Sequence, residues 1–456
     1  MAAAIAARQG GCSVVLFDEQ PVPGGQIYRA VERASPSHAR LLGTDYQAGS
    51  TLAAALRASG ARYEAGAAVW EVTRERTLHY RRDGAVHRLQ AERVILCTGA
   101  LERPMPIPGW TLPGVMTAGA AQILLKSAGV IPAAPVVLAG CGPLLYLLAW
   151  QLRRAGAPIR ALVDTSDRRM RREALTQLPA ALREWRVLAK GVRLLASLRA
   201  SGVPVFSGAR ELAIDAGPGR GVDGDGSGAI DGHIDGEARA ICFTGARGRE
   251  RIEAPLILLH QGVVPNTHVT MALRAEHRWD DGQLCWIPIT DDTGQLSSAP
   301  GIHVAGDGAG IVGAQACAVS GRIAGLAAAA AVTGAAPSSE LPRLLARLRR
   351  TRDARRFLEY LYRPAVPLRV PADEVVVCRC EEVKAGELRA LVRAGCDGPN
   401  QMKAFTRCGM GPCQGRQCSL TVSELIAAER GVGVDQVGYL RIRPPLKPVT
   451  LGEIAG

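Results

Sequence analysis

Apolar and polar positions along this chain switch repeatedly between the two-residue period of a strand and the 3.6-residue period of a helix. Ala2–Gln9 reads as a helix, and residues 13–18, an apolar run ending in Asp18, read as a strand. Residues 66–96 alternate in several short strands, and Thr98-Gly99-Ala100 breaks the last of them after Val94-Ile-Leu-Cys97. Pro and Gly punctuate residues 104–114, which predicts a rigid crossover loop. A strand–turn–helix unit follows at Pro135-Val-Val-Leu-Ala-Gly140-Cys-Gly142, with its helix ending near Arg154 and a further strand at 159–163 closed by Asp164. Residues 256–260 form another buried strand. Residues 301–305 lead into Gly306-Asp307-Gly308, and a helix of small residues spans 314–332.

Strands alternating with helices at these spacings predict an α/β chain with two doubly wound dinucleotide-binding domains, one inserted in the other. The first domain would occupy 1–125 and return at 263–335, with 126–262 inserted between. An Arg-rich linker (336–370), a small α-rich cysteine domain (371–430) and a tail (431–456) complete the chain. Residues 217–236, rich in Gly and Asp, read as a surface insertion; Asp223 and Asp225 lack the further ligands a calcium loop needs.

Length changes this picture little: 456 residues suit two or three domains. The formal charge of +13 raises the question of nucleic acid, yet aromatics are only 4% and do not interleave with the basic residues, so that class is set aside. The excess peaks in the Arg-rich residues 343–363, read as a solvated helix or a docking surface for an acidic protein. No apolar run in the sequence suggests a bilayer span, and peripheral membrane contact stays open. The opening residues lack a signal-peptide layout, so a reducing, cytoplasmic compartment is expected.

Cysteine brings in chemistry. Six of twelve cysteines lie between Cys378 and Cys418, as Cys378-Arg-Cys380, then Cys396, then Cys408-Gly-Met-Gly-Pro-Cys413-Gln-Gly-Arg-Gln-Cys418. Thiolates this dense in a reducing compartment hold metal rather than disulfides. A four-thiolate iron–sulfur cluster and tetrahedral zinc both suit such ligands.

The two nucleotide units are imperfect in opposite ways. The inserted unit carries Gly140-x-Gly142 where a strand feeds a helix, but Leu145 replaces the third glycine. Asp164 stands where an adenosine ribose would be held, so a second adenine nucleotide such as NAD, or a degenerate pocket, follows. The first unit has the acids Asp18 and Glu19 but no Gly-rich turn, and its first strand and phosphate loop are expected upstream of Met1. Hydrolase motifs are absent from the sequence, and His260, Arg103 and Trp110 read as structural.

The phrases Phe17-Asp-Glu-Gln-Pro-Val-Pro-Gly-Gly-Gln-Ile-Tyr28, Thr98-Gly-Ala-Leu-Glu-Arg-Pro104, Pro108-Gly-Trp-Thr-Leu-Pro-Gly114 and Val304-Ala-Gly-Asp-Gly308 resemble the two-dinucleotide-domain flavoproteins. More narrowly, they resemble the FAD- and cluster-carrying subunit of opine oxidase, hydroxyproline dehydrogenase and hydrogen cyanide synthase. The cysteine segment resembles the bacterioferritin-associated-ferredoxin type of [2Fe–2S] domain.

The resemblance implies FAD in the outer unit, with Asp18, or Glu19 as alternate, on the adenosine ribose. Gly24, Gly25 and Gln26 would line the flavin side, and Thr98 and Gly99 would end the strand beside it. Asp307 would accept from a ribityl hydroxyl, Gly306 would give clearance, and the helix starting near Gln315 would face the pyrimidine edge. Cys378, Cys380, Cys413 and Cys418 would hold the cluster, with Cys408 a rival for the last place, and Arg379, Lys403, Arg407 and Arg416 would offset its charge.

The function so implied is electron transfer within a multi-subunit dehydrogenase of an amine or imino acid (opine, hydroxyproline or glycine class). A glycine- or D-amino-acid-oxidase-type flavoprotein subunit would oxidise the substrate, and electrons would leave to a quinone or other acceptor. The alternatives are an NAD(P)H-dependent reductase feeding the cluster, and a redox-inactive scaffold subunit.

Overall fold

The computed structural model describes residues 1–217 and 236–455, so Asp223, Asp225 and nearly all of the Gly-rich insertion lie outside it. The first unit contains two parallel ladders. Val15–Asp18 pairs with Arg62–Ala65, and Ile302–Val304 pairs with Val94–Leu96. A three-stranded antiparallel sheet (68–72, 77–82, 85–90) lies beside them, and Val72, Leu78, Val94, Leu96, Ile302 and Val304 share one apolar core.

Helix Ala2–Gln9 lies on helix Ala314–Thr333, and small residues allow the close approach. A Cβ on Gly325 would collide with the Ala3 carbonyl, and one on Gly10 with Ala329. By length and composition Ala314–Thr333 could cross a bilayer, which the sequence reading did not anticipate; here half of its apolar window is buried inside the protein.

The inserted unit is a five-stranded parallel sheet in the order Val205–Ser207, Ile159–Asp164, Val136–Cys141, Leu256–Gln261, Val115–Thr117. Its central strand Val136–Cys141 is buried at every position, which is why it reads as an unbroken apolar run rather than an alternation. Because Val115–Thr117 pairs with Leu256–Gln261, this sheet begins upstream of residue 126, where the sequence had placed the boundary. Thr117 then caps helix Ala118–Ala128 by accepting from the Ala120 N–H. Leu145, in place of the third glycine, is fully buried with Leu138, Leu148 and Leu152. The two crossings between the units pair with each other, Ala100–Glu102 antiparallel to Val263–Pro265.

Beyond the linker helix Leu341–Leu361, the cysteine domain opens with the hairpin Val376–Cys378 and Val383–Lys384. Helices Ala385–Arg393, Pro399–Thr406 and Ser419–Arg430 complete it. The tail is a strap rather than a loose end: Leu440, Ile442 and Leu446 bury against Met271 and Trp286, and the Leu446 N–H donates to the Trp70 carbonyl at 2.7 Å.

Candidate functional site

In the first unit, the structure brings Thr98-Gly99 against Gly306-Asp307-Gly308. The Thr98 hydroxyl donates to the Asn266 carbonyl at 2.8 Å, and the Asn266 N–H donates to the Gly99 carbonyl at 2.9 Å. A Cβ on Gly308 would stand 2.9 Å from the Thr98 Oγ1, so only glycine leaves the two turns in contact. Asp307 Oδ1 accepts from the Val312 and Gly313 N–H groups at 2.8 and 3.0 Å, shaping the turn that starts helix Ala314–Thr333. Gln315 lies exposed in its first turn.

Gly24 and Gly25 both take left-handed backbone (φ 143° and 55°), and a Cβ on Gly24 would strike the Tyr28 carbonyl. Lys126, buried and unremarked in the sequence, donates from Nζ to the carbonyls of Gln26 and Ile27, each at 3.1 Å. Burial, with Arg29 nearby, lowers its pKa to about 8. These glycine-cleared strand ends, an acid at Asp307 and a lysine-anchored loop suit a large cofactor laid along the strand termini, as FAD is.

Asp18 accepts from the Gln20 N–H at 2.9 Å, and its pKa is raised by burial. Glu19 points elsewhere: it is exposed and pairs with Lys447 of the tail at 2.9 Å.

The second turn is filled by the chain itself. Gly140 and Gly142 have φ of 128° and 120°, and a Cβ on Gly142 would meet the His260 Nε2 at 3.1 Å. His260 is held by Glu102, Nδ1 to Oε1 2.5 Å, and Glu102 Oε2 accepts from the Gly119 N–H at 2.8 Å. Asp164 is buried, accepts from the Ser166 N–H at 2.8 Å, and is hydrogen-bonded by Tyr146. Tyr362, from the end of the linker helix, lies 6.0 Å from Tyr146 ring to ring, and its carbonyl accepts from the Cys141 thiol at 3.5 Å. The acid expected to hold a ribose thus already has protein partners.

Five of the six C-terminal cysteines converge in two groups. The sulfurs of Cys378, Cys408 and Cys418 lie within 4.8 Å of one another, all buried. Cys380 and Cys413 hydrogen-bond to each other nearer the surface. Hydrogen bonds from Cys408 and Cys418, then from the Gly409 and Glu381 N–H groups, draw the Cys378 pKa far down, the environment of a thiolate ligand. Cys396 stands apart, its thiol directed at the Gly398 carbonyl. Three sulfurs and two, on a strand end and two turns, suit a cluster that takes two thiolates per iron. Cys408 is therefore inside the cage, where the sequence had kept it as a rival.

The cationic surroundings differ from expectation. Of the four basic residues expected to offset cluster charge, Arg416 lies beside Cys413, donating to its carbonyl at 3.2 Å. Arg407 pairs with Glu381 at 3.0 Å, Lys403 donates to the Arg441 carbonyl, and Arg379 stacks over Trp110. Their own neighbours claim them because Glu381, Trp110 and the tail fold onto the same loop.

The sequence missed how the domains dock. Trp110, on the crossover loop, donates its indole N–H to the Val376 carbonyl at 2.7 Å. Arg103 and Glu424 are both almost fully buried; Glu424 accepts from Arg369 at 2.6 Å and lies 3.6 Å from Arg103. Arg103 also donates to the carbonyls of Gln283 and Leu284 at 2.8 Å each. A buried glutamate between two arginines from separate segments could have been suspected only once those segments were known to meet. A small cavity of about 50 Å³ adjoins this seam, with His268, Trp286, Arg416 and Tyr439 in its wall.

Known proteins agree with this architecture. Residues 1–332 match the pyridine nucleotide-disulphide oxidoreductase family, and residues 374–456 match the sarcosine oxidase A3 domain. An opine oxidase subunit of Rhizobium meliloti is 45% identical over all of this chain and 85% of its own length. Hydrogen cyanide synthase subunit HcnB of Pseudomonas aeruginosa is 32% identical over 98% of this chain and 94% of its own. In fold, the chain is similar to L-proline dehydrogenase from P. horikoshii, with a TM-score of 0.69 at 16% identity, over 100% of this chain and 78% of that one. The chain belongs to the family of these opine oxidase and hydrogen cyanide synthase subunits, FAD-dependent oxidoreductases built on the pyridine nucleotide-disulphide oxidoreductase fold.

Proposed function

We propose that this chain is the electron-transferring subunit of a multi-subunit dehydrogenase that oxidises an amine or imino acid of the opine, hydroxyproline or glycine class. A flavoprotein subunit of the glycine- or D-amino-acid-oxidase type would remove hydride from the substrate carbon. This chain would receive the electrons and send them to a quinone or other acceptor, in a cytoplasmic compartment that keeps its cysteines reduced.

One observation carries the reading: five converging cysteines dock, through Trp110 and the Arg103–Glu424–Arg369 triad, onto the loop that leaves the Thr98-Gly99 turn. Cys380 and Cys413 with two of Cys378, Cys408 and Cys418 would hold a [2Fe–2S] cluster. Asp18, Gly24, Gly25, Gln26, Thr98, Gly99, Gly306, Asp307 and Gln315 would position FAD. Bound there, the two groups would supply two-electron acceptance and one-electron release. The chain's own part is to hold them at a fixed separation and keep water from the seam.

The nicotinamide-fed alternative is weakened by Asp164, which is engaged by Tyr146 and covered from the side of Tyr362.

The test is anaerobic assay of flavin, iron and acid-labile sulfide, on the chain alone and with its partner subunit. About one flavin, two irons and two sulfides per chain, with flavin bleaching by opine only when the partner is present, supports the reading. Zinc without flavin would leave a scaffold, and bleaching by NADH alone would favour the reductase.

A further inference from the structure

The outer layer of the inserted unit is made of helices Arg168–Leu175, Leu178–Leu182 and Trp185–Ala200. The last turns Leu198 inward, 2% exposed, with Leu195 packed beside it on the core of that unit. Its opposite face carries large apolar side chains into solvent: Trp185 is 60% exposed and Val192 66%. Leu175, Leu182 and Val187, each about half exposed or more, extend the same layer. Positions 185, 192 and 196 fall on one helical stripe, so Trp185, Val192 and Ala196 form a ridge.

Basic residues flank that ridge. Residues 168–199 contain nine Arg or Lys and two acids, Glu173 and Glu184. Both acids are already paired, Glu173 with Arg169 and Glu184 with Arg350. Arg168, Arg172, Arg183, Arg186, Arg193 and Arg199 are exposed, with no ion-pair partner among the described residues. Leaving so much apolar surface in water is unfavourable, and unpaired like charge beside it adds repulsion. Both costs vanish against a surface that is apolar within and anionic at its face.

We propose that this face docks the protein on an anionic lipid bilayer, with Trp185 and Val192 entering the headgroup boundary and the arginines reaching the phosphates. Arginine stems lie along apolar surface while their heads stay with charge, and tryptophan favours the membrane–water boundary. A protein partner is the poorer fit, since the buried centre of an interface is depleted in charge, whereas here cations border every apolar side chain.

The test is co-sedimentation of the assembled holoenzyme with vesicles of phosphatidylcholine alone or mixed with phosphatidylglycerol. Binding to the mixed vesicles, absent on the neutral ones and weakened by salt, is expected. The double variant Arg186→Gln/Arg193→Gln should lower partitioning by about tenfold or more, given the contribution of each basic residue at such a surface. Trp185→Ser/Val192→Ser should lower it at every salt concentration, with flavin and iron content unchanged. Equal partitioning on both vesicle types would overturn the proposal. So would absence of binding together with protection of residues 185–193 from hydrogen exchange by the partner subunit, which would make the face a protein interface.

Discussion

Trp110 and Val376 join the crossover loop of the flavoprotein core to the strand that delivers Cys378, through one indole N–H to carbonyl bond of 2.7 Å. Arg379, one residue beyond Cys378, stacks on the same ring at 5.4 Å. Trp110→Phe keeps a ring for that stacking and removes the donor, leaving the Val376 carbonyl unpaired. A cost of about 2 kcal/mol follows, with most of the ring's packing kept. Calorimetry should show the cysteine domain melting earlier, with the flavin-domain transition unmoved.

Glu424 anchors the same seam more deeply. Its carboxylate lies between Arg103 and Arg369 with almost no solvent. Glu424→Gln leaves two guanidinium groups facing a neutral amide, which for a buried pair costs about 3–5 kcal/mol. Limited proteolysis should then cut near residues 362–372 in the variant and leave that segment intact in the wild type. Equal protection would mean that the triad is dispensable for docking.

How much of this was legible in the sequence follows from what each signal depends on. Val136–Cys141 and the Gly140 turn were readable because a buried parallel strand and a left-handed turn constrain their own residues. The cysteine segment was readable because its thiols are dense. Cys408 stayed a rival for the fourth place because spacing says how far apart ligands are along the chain, not which turn folds back, and the turn at Gly409 returns it to Cys378 and Cys418. Arg103 and Trp110 read only as structural, and Lys126 drew no notice, because their partners (Glu424, Val376 and the Gln26 carbonyl) lie about a hundred or more residues away. The start of the inserted sheet was misplaced because Val115–Thr117 is three residues long and earns its place only by pairing with Leu256–Gln261.

The cysteine cage yields an ordered set of outcomes. Among the described residues, Cys380 and Cys413 have each other alone as thiol partners on their side, whereas Cys378, Cys408 and Cys418 are three where two would serve. Cys380→Ala or Cys413→Ala should leave less than about a tenth of the iron. Cys408→Ala should keep iron and sulfide at about two each. Iron analysis and the visible spectrum of each purified variant check this. Loss of iron in Cys408→Ala with retention in Cys418→Ala would exchange the roles of those two residues.

Acid should loosen the strap. His277 lies 2.8 Å from both the Thr270 hydroxyl and the Ala275 carbonyl and edges onto Tyr439 of the tail. Burial lowers its pKa from 6.5 to about 4, and burial with Arg416 does the same to His268. Above pH 6.5 both are neutral folded or unfolded and contribute no pH dependence. Below it the unfolded chain takes up protons that the folded chain refuses, so stability falls until about pH 4. The loss is on the order of 3 kcal/mol for each histidine. Melting temperatures across this window should fall steeply in the wild type and less so in His277→Gln.

Lys126 separates binding from stability. Its ammonium is buried, no carboxylate lies among its hydrogen-bond partners in the described residues, and it holds the loop carbonyls of Gln26 and Ile27. The pKa of about 8, down from 10.5, means that keeping this cation folded at neutral pH costs about 3 kcal/mol. Lys126→Met removes that cost and keeps most of the side-chain volume, but frees the loop that carries Gly24 and Gly25. The flavin-free variant should therefore melt at the same temperature as wild type or higher. FAD affinity, read from recovery of flavin fluorescence on dilution, should fall by about tenfold or more through loss of two charge-assisted hydrogen bonds. A fall in both would make Lys126 an ordinary structural residue; opposite signs would show a buried charge retained for the cofactor.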